Sequence, residues 1–279
     1  MERHREAVAV IAANVRRFYD RKEPFRIFHG STNSTRSSAY PRQMIVNTSA
    51  LSHVLKVDTK TRVALVEPNV PMDRLVETTM KYGLVPPVVM GFPGITVGGG
   101  YASTSGESSS LKHGFFDRTI KSIEMLLANG EVVTASPTEK ADLFHGAAGA
   151  LGTLGITTII ELQLVEVKNY VQTTYHPVKS VAEAIRKLQE VTVDHTQDYV
   201  DGMLFSKNEG AIITGRLTND LPDGTQVSHF SRTTDLWFYL QVNKKIAKNT
   251  DPVTEAIPLN EYLFRYDRGG FWVGLSMFY

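Results

Sequence analysis

Between Gly91 and Gly114 the chain reads GFPGITVGGGYASTSGESSSLKHG, a stretch with seven glycines and seven Ser or Thr hydroxyls. Glycine lets the backbone approach a ligand closely and adopt positive φ, and free amide N–H groups together with hydroxyls can cradle a diphosphate. Two phosphate loops are excluded: the stretch holds no G-x-x-x-x-G-K-[ST], and GGGYAS lacks the last glycine of G-x-G-x-x-G. A lysine-dependent nucleotide hydrolase is therefore disfavoured. HGSTNSTR (29–36) and GAAGALGTLGI (146–156) share the same character. Each alone reads equally well as turn and helix-end glycines, but three such stretches in one domain point to a single extended ligand. A plain flexible loop is the competing reading, although flexible linkers are usually repetitive and lie between domains.

Other residues carry chemistry with less definition. Lys112 and His113 follow the glycine-rich stretch and either face its ligand or form a surface pair. Arg265, Tyr266, Asp267 and Arg268 either face a substrate or form a solvated ion-pair surface, the commoner arrangement for such clusters. Trp237, Phe238 and Tyr239 read as core or interface, and no Ser-His-Asp triad is defensible. The chain has no cysteine, which removes disulfides, thiolate nucleophiles, iron-sulfur clusters and cysteine-bound zinc. Its eight histidines are scattered with no i, i+4 pair, so no metal site is expected. A net charge of +1 gives no general attraction to nucleic acid.

The elements that must position these residues follow from periodicity. Val8, Ile11, Val15 and Phe18 recur at helical spacing, so residues 3–20 form an amphipathic helix, followed by the strand FRIFH. SHVLKVD and RVALVEP flank the turn TKT as paired strands, and PMDRLVETTMKYGL is a helix with Leu75, Thr79 and Tyr82 on one face. Asn129-Gly130 between apolar runs predicts a hairpin. Ser136 with Glu139, and Ser180 with Glu183, predict capping boxes that open helices. ITTIIELQLVEV is a long strand, and strands YVQTTYHPV, DYVDGMLFS and GAIITGRLT restart the pattern near residue 170, ahead of the helix DLWFYLQVNKKIAK. Strands and helices mix without strict βαβ alternation, so the fold class is α+β with antiparallel pairing. The longest uncharged apolar stretch, residues 146–160, is too short for a spanning helix of about 20 residues. No signal peptide is visible in MERHREAVAVIAANVRRF. Both ends break off inside patterned sequence, from which we expect a piece of a longer architecture.

Taken in order, HGSTNST, VEPNVPMDRLVETTMKYGLVPPV, GITVGGGYASTSGESSSLKHGFFDRTIKSIEMLLANGEVV and DLFHGAAGALGTLGI resemble the FAD-binding domain of the vanillyl-alcohol-oxidase (PCMH-type) flavoproteins over about residues 1–168. Within that superfamily TSGESSSLKHG, SPTEKADLFHGAAGALGTLGI and YVDGMLFSKNEGAIITG are similar to the delta-24-sterol reductases through about residue 217. The resemblance implies an FAD-binding domain of two α/β subdomains at 1–168 and part of an antiparallel-sheet cap domain at 169–279. The diphosphate-binding turn R-G-x-G-H-S falls on His29, Gly30, Ser31, Thr32, Asn33 and Ser34. Its histidine, which many members bond covalently to flavin, falls on Asn33, implying non-covalent FAD. The second segment falls on Thr96, Val97, Gly98, Gly99, Gly100, Tyr101, Ala102, Ser103, Thr104, Ser105, Gly106, Glu107 and Ser108. There the glycines would admit the cofactor and Thr96, Ser103, Thr104 and Ser108 would donate hydrogen bonds. Glu107 would be repelled by a diphosphate, so it caps a local turn or orients the flavin ring or ribose. Gly155 and Ile156 match a third segment, expected at the adenosine end.

For activity, the resemblance implies reduction of a carbon–carbon double bond in the side chain of a sterol, with NADPH as electron donor and an acid protonating the second carbon. No residue is assigned as that acid. The substrate is a small molecule, possible peripheral association with the endoplasmic-reticulum membrane is implied, and the oligomeric state is left open. Two alternatives stand beside this reading: an FAD-dependent oxidase of an alcohol, sugar or lactone, and a shortened non-catalytic flavin-binding protein.

Overall fold

The computed structural model describes residues 1–30, 41–271 and 273–277. In chain order its elements begin with α1 (Glu2–Arg21), β1 (Arg26–Phe28), β2 (Ile45–Asn47), β3 (Val54–Asp58), β4 (Val63–Val66), α2 (Met72–Met80) and β5 (Leu84–Val85). There follow α3 (Val97–Ala102), α4 (Ser110–His113), β6 (Ile120–Leu126), β7 (Val132–Ala135), α5 (Ala141–Ala147), β8 (Ile156–Gln163) and β9 (Val165–Glu166). The remainder comprises β10 (Tyr170–Val178), α6 (Val181–Thr192), β11 (Tyr199–Ser206), β12 (Glu209–Thr218), α7 (Phe238–Lys248), β13 (Val253–Pro258) and α8 (Leu259–Leu263). Two compact units result. The first is Met1–Pro87, Pro93–Ser105 and Phe115–Glu166, and the second is Val88–Phe92, Gly106–Gly114 and everything from Val167 on.

The first unit is built on a five-stranded antiparallel sheet of order β3-β4-β8-β6-β7. The Asn129-Gly130 hairpin joins β6 to β7, and Gly130 takes φ 83, a value that L side chains rarely adopt. Helix α1 presents Val8, Ile11, Val15 and Phe18 to a core containing Val46, Leu51, Leu126 and Ile156. It stops where Lys22 turns left-handed at φ 55 and its N–H returns to the last helical carbonyls. Helix α2 buries Leu75 and Thr79, but Tyr82 is 52% exposed. The helix ends at Met80, so Tyr82 lies in the following turn rather than on the helical face expected for it. The Ser136 box is also corrected. Ser136 Oγ does accept the Glu139 N–H at 3.1 Å, but the two residues close a turn on each other, and α5 begins later at Ala141 behind a left-handed Lys140.

A buried polar network crosses this unit. His4 of α1 is 2% exposed. Its Nδ1 lies 2.8 Å from Glu67 Oε1 and its Nε2 3.1 Å from Glu124 Oε1. The other Glu67 oxygen accepts the His53 N–H at 2.7 Å, and Glu124 Oε1 accepts the Thr158 hydroxyl at 2.7 Å.

The second unit carries the antiparallel sheet β11-β12-β10-β13. Helix α6 opens on Ser180, whose Oγ accepts the Glu183 N–H at 3.1 Å while Glu183 reaches back to the Lys179 N–H at 2.8 Å. The expected cap therefore forms, with its carboxylate one residue further back. Glu255 of β13 is fully buried and fully engaged, by Tyr175 and Ser228 hydroxyls at 2.6 and 2.7 Å and by Lys245 at 2.8 Å. Phe238, Tyr175, Tyr262 and Tyr266 fill the core beside it.

Candidate functional site

In the first unit the glycine-rich stretch is not an open loop. Thr96 caps α3, its Oγ1 accepting the Gly99 N–H at 3.1 Å. Three consecutive glycines are poor helix formers, so the helix is held by its surroundings. The Val97 and Gly98 N–H groups donate to Val70 O and Pro68 O at 2.9 and 2.7 Å. Tyr101, 2% exposed, donates its hydroxyl to Phe144 O at 3.1 Å, and burial, helped by Asp117, pushes its phenol up to about 12. Gly98 has a packing reason: a Cβ there would stand 2.7 Å from Pro68 Cβ.

Past the helix, the Ser103, Thr104 and Ser105 N–H groups donate to Gly99 O, Tyr101 O and Gly100 O at 3.1, 3.2 and 3.0 Å. The N–H groups of Val97 to Gly100 and of Ser103 to Ser105 are thus engaged by the protein itself. This corrects the expectation that they stand free for a diphosphate. The segment also carries hydroxyls: Ser103 Oγ donates to Gly99 O at 2.7 Å and lies 2.9 Å from Ser105 Oγ, next to the exposed Gly99. Thr104 is held at φ 48, a strained conformation for a β-branched residue of the kind that concentrates at ligand sites.

The third expected segment is placed in the same unit. Gly155 lies against β6, where a Cβ would meet Leu126 O at 2.8 Å and the Met125 side chain at 2.9 Å. Ile156 is buried and pairs with Leu126. Close packing on β6 is therefore reason enough for glycine at 155. Gly30 takes φ 77, while Ser31, Thr32, Asn33 and Ser34 lie outside the described residues.

In the second unit Gly106, Glu107 and Ser108 lead into α4. Glu107 turns its carboxylate inward, Oε1 accepting the Gly91 N–H at 2.8 Å, while its own N–H donates to Ser110 Oγ at 2.9 Å. Its carboxylate thus accepts from a backbone N–H 16 residues away rather than from a local turn. Burial raises its pKa, the Gly91 N–H and Arg265 pull it back down, and Asp201 adds to the rise. Ser108 O accepts the Val200 N–H of β11 at 2.8 Å, and Lys112 pairs with Asp198 at 2.5 Å. Lys112 is accordingly committed to an ion pair, and burial with the adjacent Lys112 charge lowers the pKa of His113.

The RYDR cluster departs furthest from its expected solvated surface. Arg265 and Tyr266 are 5% and 3% exposed. The Arg265 guanidinium donates to Asp201 Oδ2 at 3.1 Å, Ser108 Oγ at 3.2 Å and Tyr262 O at 2.8 Å. It also lies 3.9 Å from the Tyr262 ring centroid and 4.6 Å from that of Tyr266. Tyr266 donates its hydroxyl to the same Asp201 oxygen. Burial opposes the guanidinium charge, but Tyr262, Tyr266, Asp201 and Glu107 outweigh it and raise the pKa. Burial pushes the Tyr262 phenol up to about 12. Arg265 Nε has no hydrogen-bond partner among the described residues. Sequence reasoning missed Asp201 altogether. The clustering of RYDR was its one available signal, and the partners of Arg265 stand 157 and 64 residues away.

A family model described as "FAD binding domain" matches residues 6–136. The delta(24)-sterol reductase of Rattus norvegicus is 32% identical over 222 residues, covering 80% of this chain and 43% of the relative. That of Pisum sativum is 30% identical over 247 residues, covering 84% and 43%. Cytokinin dehydrogenase 9 of Oryza sativa subsp. japonica is 26% identical over 180 residues, covering 63% of this chain and 34% of the relative. The chain spans 43% of the length of the sterol reductases it matches. With most of α1 and all of α2, α3 and the β6-β7 hairpin inside the matched residues, this protein carries the FAD-binding domain of the PCMH-type flavoproteins.

Proposed function

We propose that the protein binds FAD without a covalent link and serves an NADPH-dependent reduction of a carbon–carbon double bond, with sterol side chains as the substrate class. The observation that carries this is the extent of similarity: 222 aligned residues reach past Glu166 into the second unit, beyond the FAD-binding domain model. Bound FAD supplies the two-electron step. The protein's own groups hold and orient it: Gly30 to Ser34 at the diphosphate, Thr96 to Ser108 along the cofactor, and Gly155 and Ile156 at the adenosine end. Among these, Thr96, Ser103, Ser105 and Ser108 contribute hydroxyls. Partial burial raises the pKa of the Glu107 carboxyl, which can therefore keep a proton to higher pH than an exposed glutamate. On this reading residues 1–168 form the flavin domain and 169–279 contribute to the substrate side. Peripheral association with the endoplasmic-reticulum membrane belongs to the same reading. Among the described residues no helix is long and apolar enough to cross a membrane.

Purified protein titrated with NADPH in the absence of oxygen tests the reading. Flavin absorbance bands that bleach with NADPH support it. Bands that bleach only with an alcohol or amine substrate replace it with the dehydrogenase reading that the cytokinin dehydrogenase similarity favours. Protein that takes up no FAD overturns both. Acid precipitation separately tests the linkage: yellow colour retained in the pellet contradicts a non-covalent cofactor at Asn33.

A further inference from the structure

We propose that Arg265 is a positioning residue that fixes the segment Gly106 to Ser110, and with it the Glu107 carboxyl, for the bound cofactor. The proposal rests on the FAD reading above. A buried arginine is a poor stabiliser, because well-packed apolar residues usually serve a core as well or better. Its place here is better explained by what it holds. One guanidinium nitrogen bridges Asp201 Oδ2 on β11 and Ser108 Oγ, at 3.1 and 3.2 Å. The other is tied to the end of α8 through Tyr262 O at 2.8 Å. The ring faces of Tyr262 and Tyr266 keep the guanidinium plane from turning.

Ser108 is anchored a second time through its backbone carbonyl, by the Val200 N–H, and Lys112 a turn further on is paired with Asp198. Glu107 sits directly beside this anchor, its carboxylate closed on the Gly91 N–H. A displacement of Ser108 must therefore carry Glu107 with it. Arg265 also acts on Glu107 through space, favouring its ionised form against burial and Asp201. The guanidinium thus fixes where the segment lies and partly offsets the rise that burial gives the Glu107 pKa. The unpartnered Arg265 Nε sets this arrangement apart from an ion pair optimised for stability alone.

The test is a double-mutant cycle in FAD affinity on the whole protein, with wild type, Arg265→Lys, Ser108→Ala and the double variant. FAD binding is followed by quenching of flavin fluorescence, the bound flavin by its visible spectrum, and the apoprotein by thermal melting. Arg265→Lys keeps the charge but loses the fork and the stacking, and should weaken FAD about tenfold while shifting the flavin absorbance bands. If Arg265 acts through Ser108, the double variant binds FAD no more weakly than Arg265→Lys alone. Effects that multiply in the double variant overturn the proposal. So does an Arg265→Lys protein that melts earlier yet binds FAD with wild-type affinity and spectrum. Should Arg265→Lys fail to fold, Asp201→Asn removes the charge that orients the guanidinium. Weaker FAD binding with a shifted spectrum then supports the proposal, and unchanged binding overturns it. Wild-type protein that binds no FAD sinks the underlying reading instead.

Discussion

His4 in the first unit and Arg265 in the second are both basic side chains held inside their own unit, each beside carboxylates, yet their surroundings are finished to different degrees. Both His4 ring nitrogens meet carboxylate oxygens, the free Glu67 oxygen is taken by the His53 N–H, and Glu124 also receives the Thr158 hydroxyl. The partners lie on or beside α1, β4, β6 and β8, all regular elements of one core. Arg265 keeps an unpartnered Nε among the described residues, stacks on Tyr262, and spends one contact on Ser108, in a connecting segment. A satisfied network between rigid elements ties the fold together, whereas an unfinished one that reaches into a segment keeps capacity for another group. On the proposal above, that difference is what separates a core network from a site.

The comparison can be broken most directly at Glu67. Glu67→Ala leaves His4 and His53 facing an emptied position and should cost about 3–5 kcal/mol. Both tryptophans, Trp237 and Trp272, fall in the part of the sequence after Val167. The loss should therefore appear in the urea midpoint read by far-UV circular dichroism more than in that read by tryptophan emission. Equal shifts in both probes would mean that the network does not belong to one unit's stability. Arg265→Met should cost less, about 1–3 kcal/mol by tryptophan emission, because Asp201 keeps 23% side-chain exposure and the Tyr266 hydroxyl. A penalty as large as that of Glu67→Ala would erase the distinction.

The smallest effect comes from Glu107 and sharpens the comparison through pH. Its folded pKa is raised above 4.5 chiefly by burial, so between 4.5 and the folded value the native state binds more protons than the unfolded state. Stability then falls as pH rises through that window, and the loss is complete above it. Glu107→Gln cannot ionise. Its stability relative to wild type should rise with pH across the window and stay level below pH 4.5, as read from urea midpoints at several pH values. A relative stability independent of pH would show that Glu107 carries its ordinary pKa.

The legible parts of the sequence were those written in short range. The α1 stripe, the Asn129-Gly130 hairpin and the Ser180 cap each depend on residues a few positions apart, and local chemistry determines them. The box at Ser136 failed on the same scale. Its turn closed on itself, and the helix waited for Ala141. The glycine-rich stretch was recognisable as unusual, but its helix depends on Pro68, Val70 and Phe144, which supply what glycine lacks. The two polar networks were invisible. His4 meets carboxylates 63 and 120 positions away, and nothing in the periodicity around any of them marks the meeting. RYDR was conspicuous, and composition alone favoured solvent for it. Three aromatic rings within reach of the guanidinium accompany its burial.

The division into two units has a consequence for how this protein can be taken apart. Val88–Phe92 and Gly106–Gly114 belong to the second unit although both are encoded well before Val167. A fragment ending at Glu166 would strand those two segments, with Gly91, Glu107, Ser108 and Lys112, away from Asp198, Val200, Asp201 and Arg265, on which they close. The units are threaded through each other in sequence rather than joined end to end. Dissection, domain exchange and recombination would have to cut at five places to move either one whole, and a single cut spoils both.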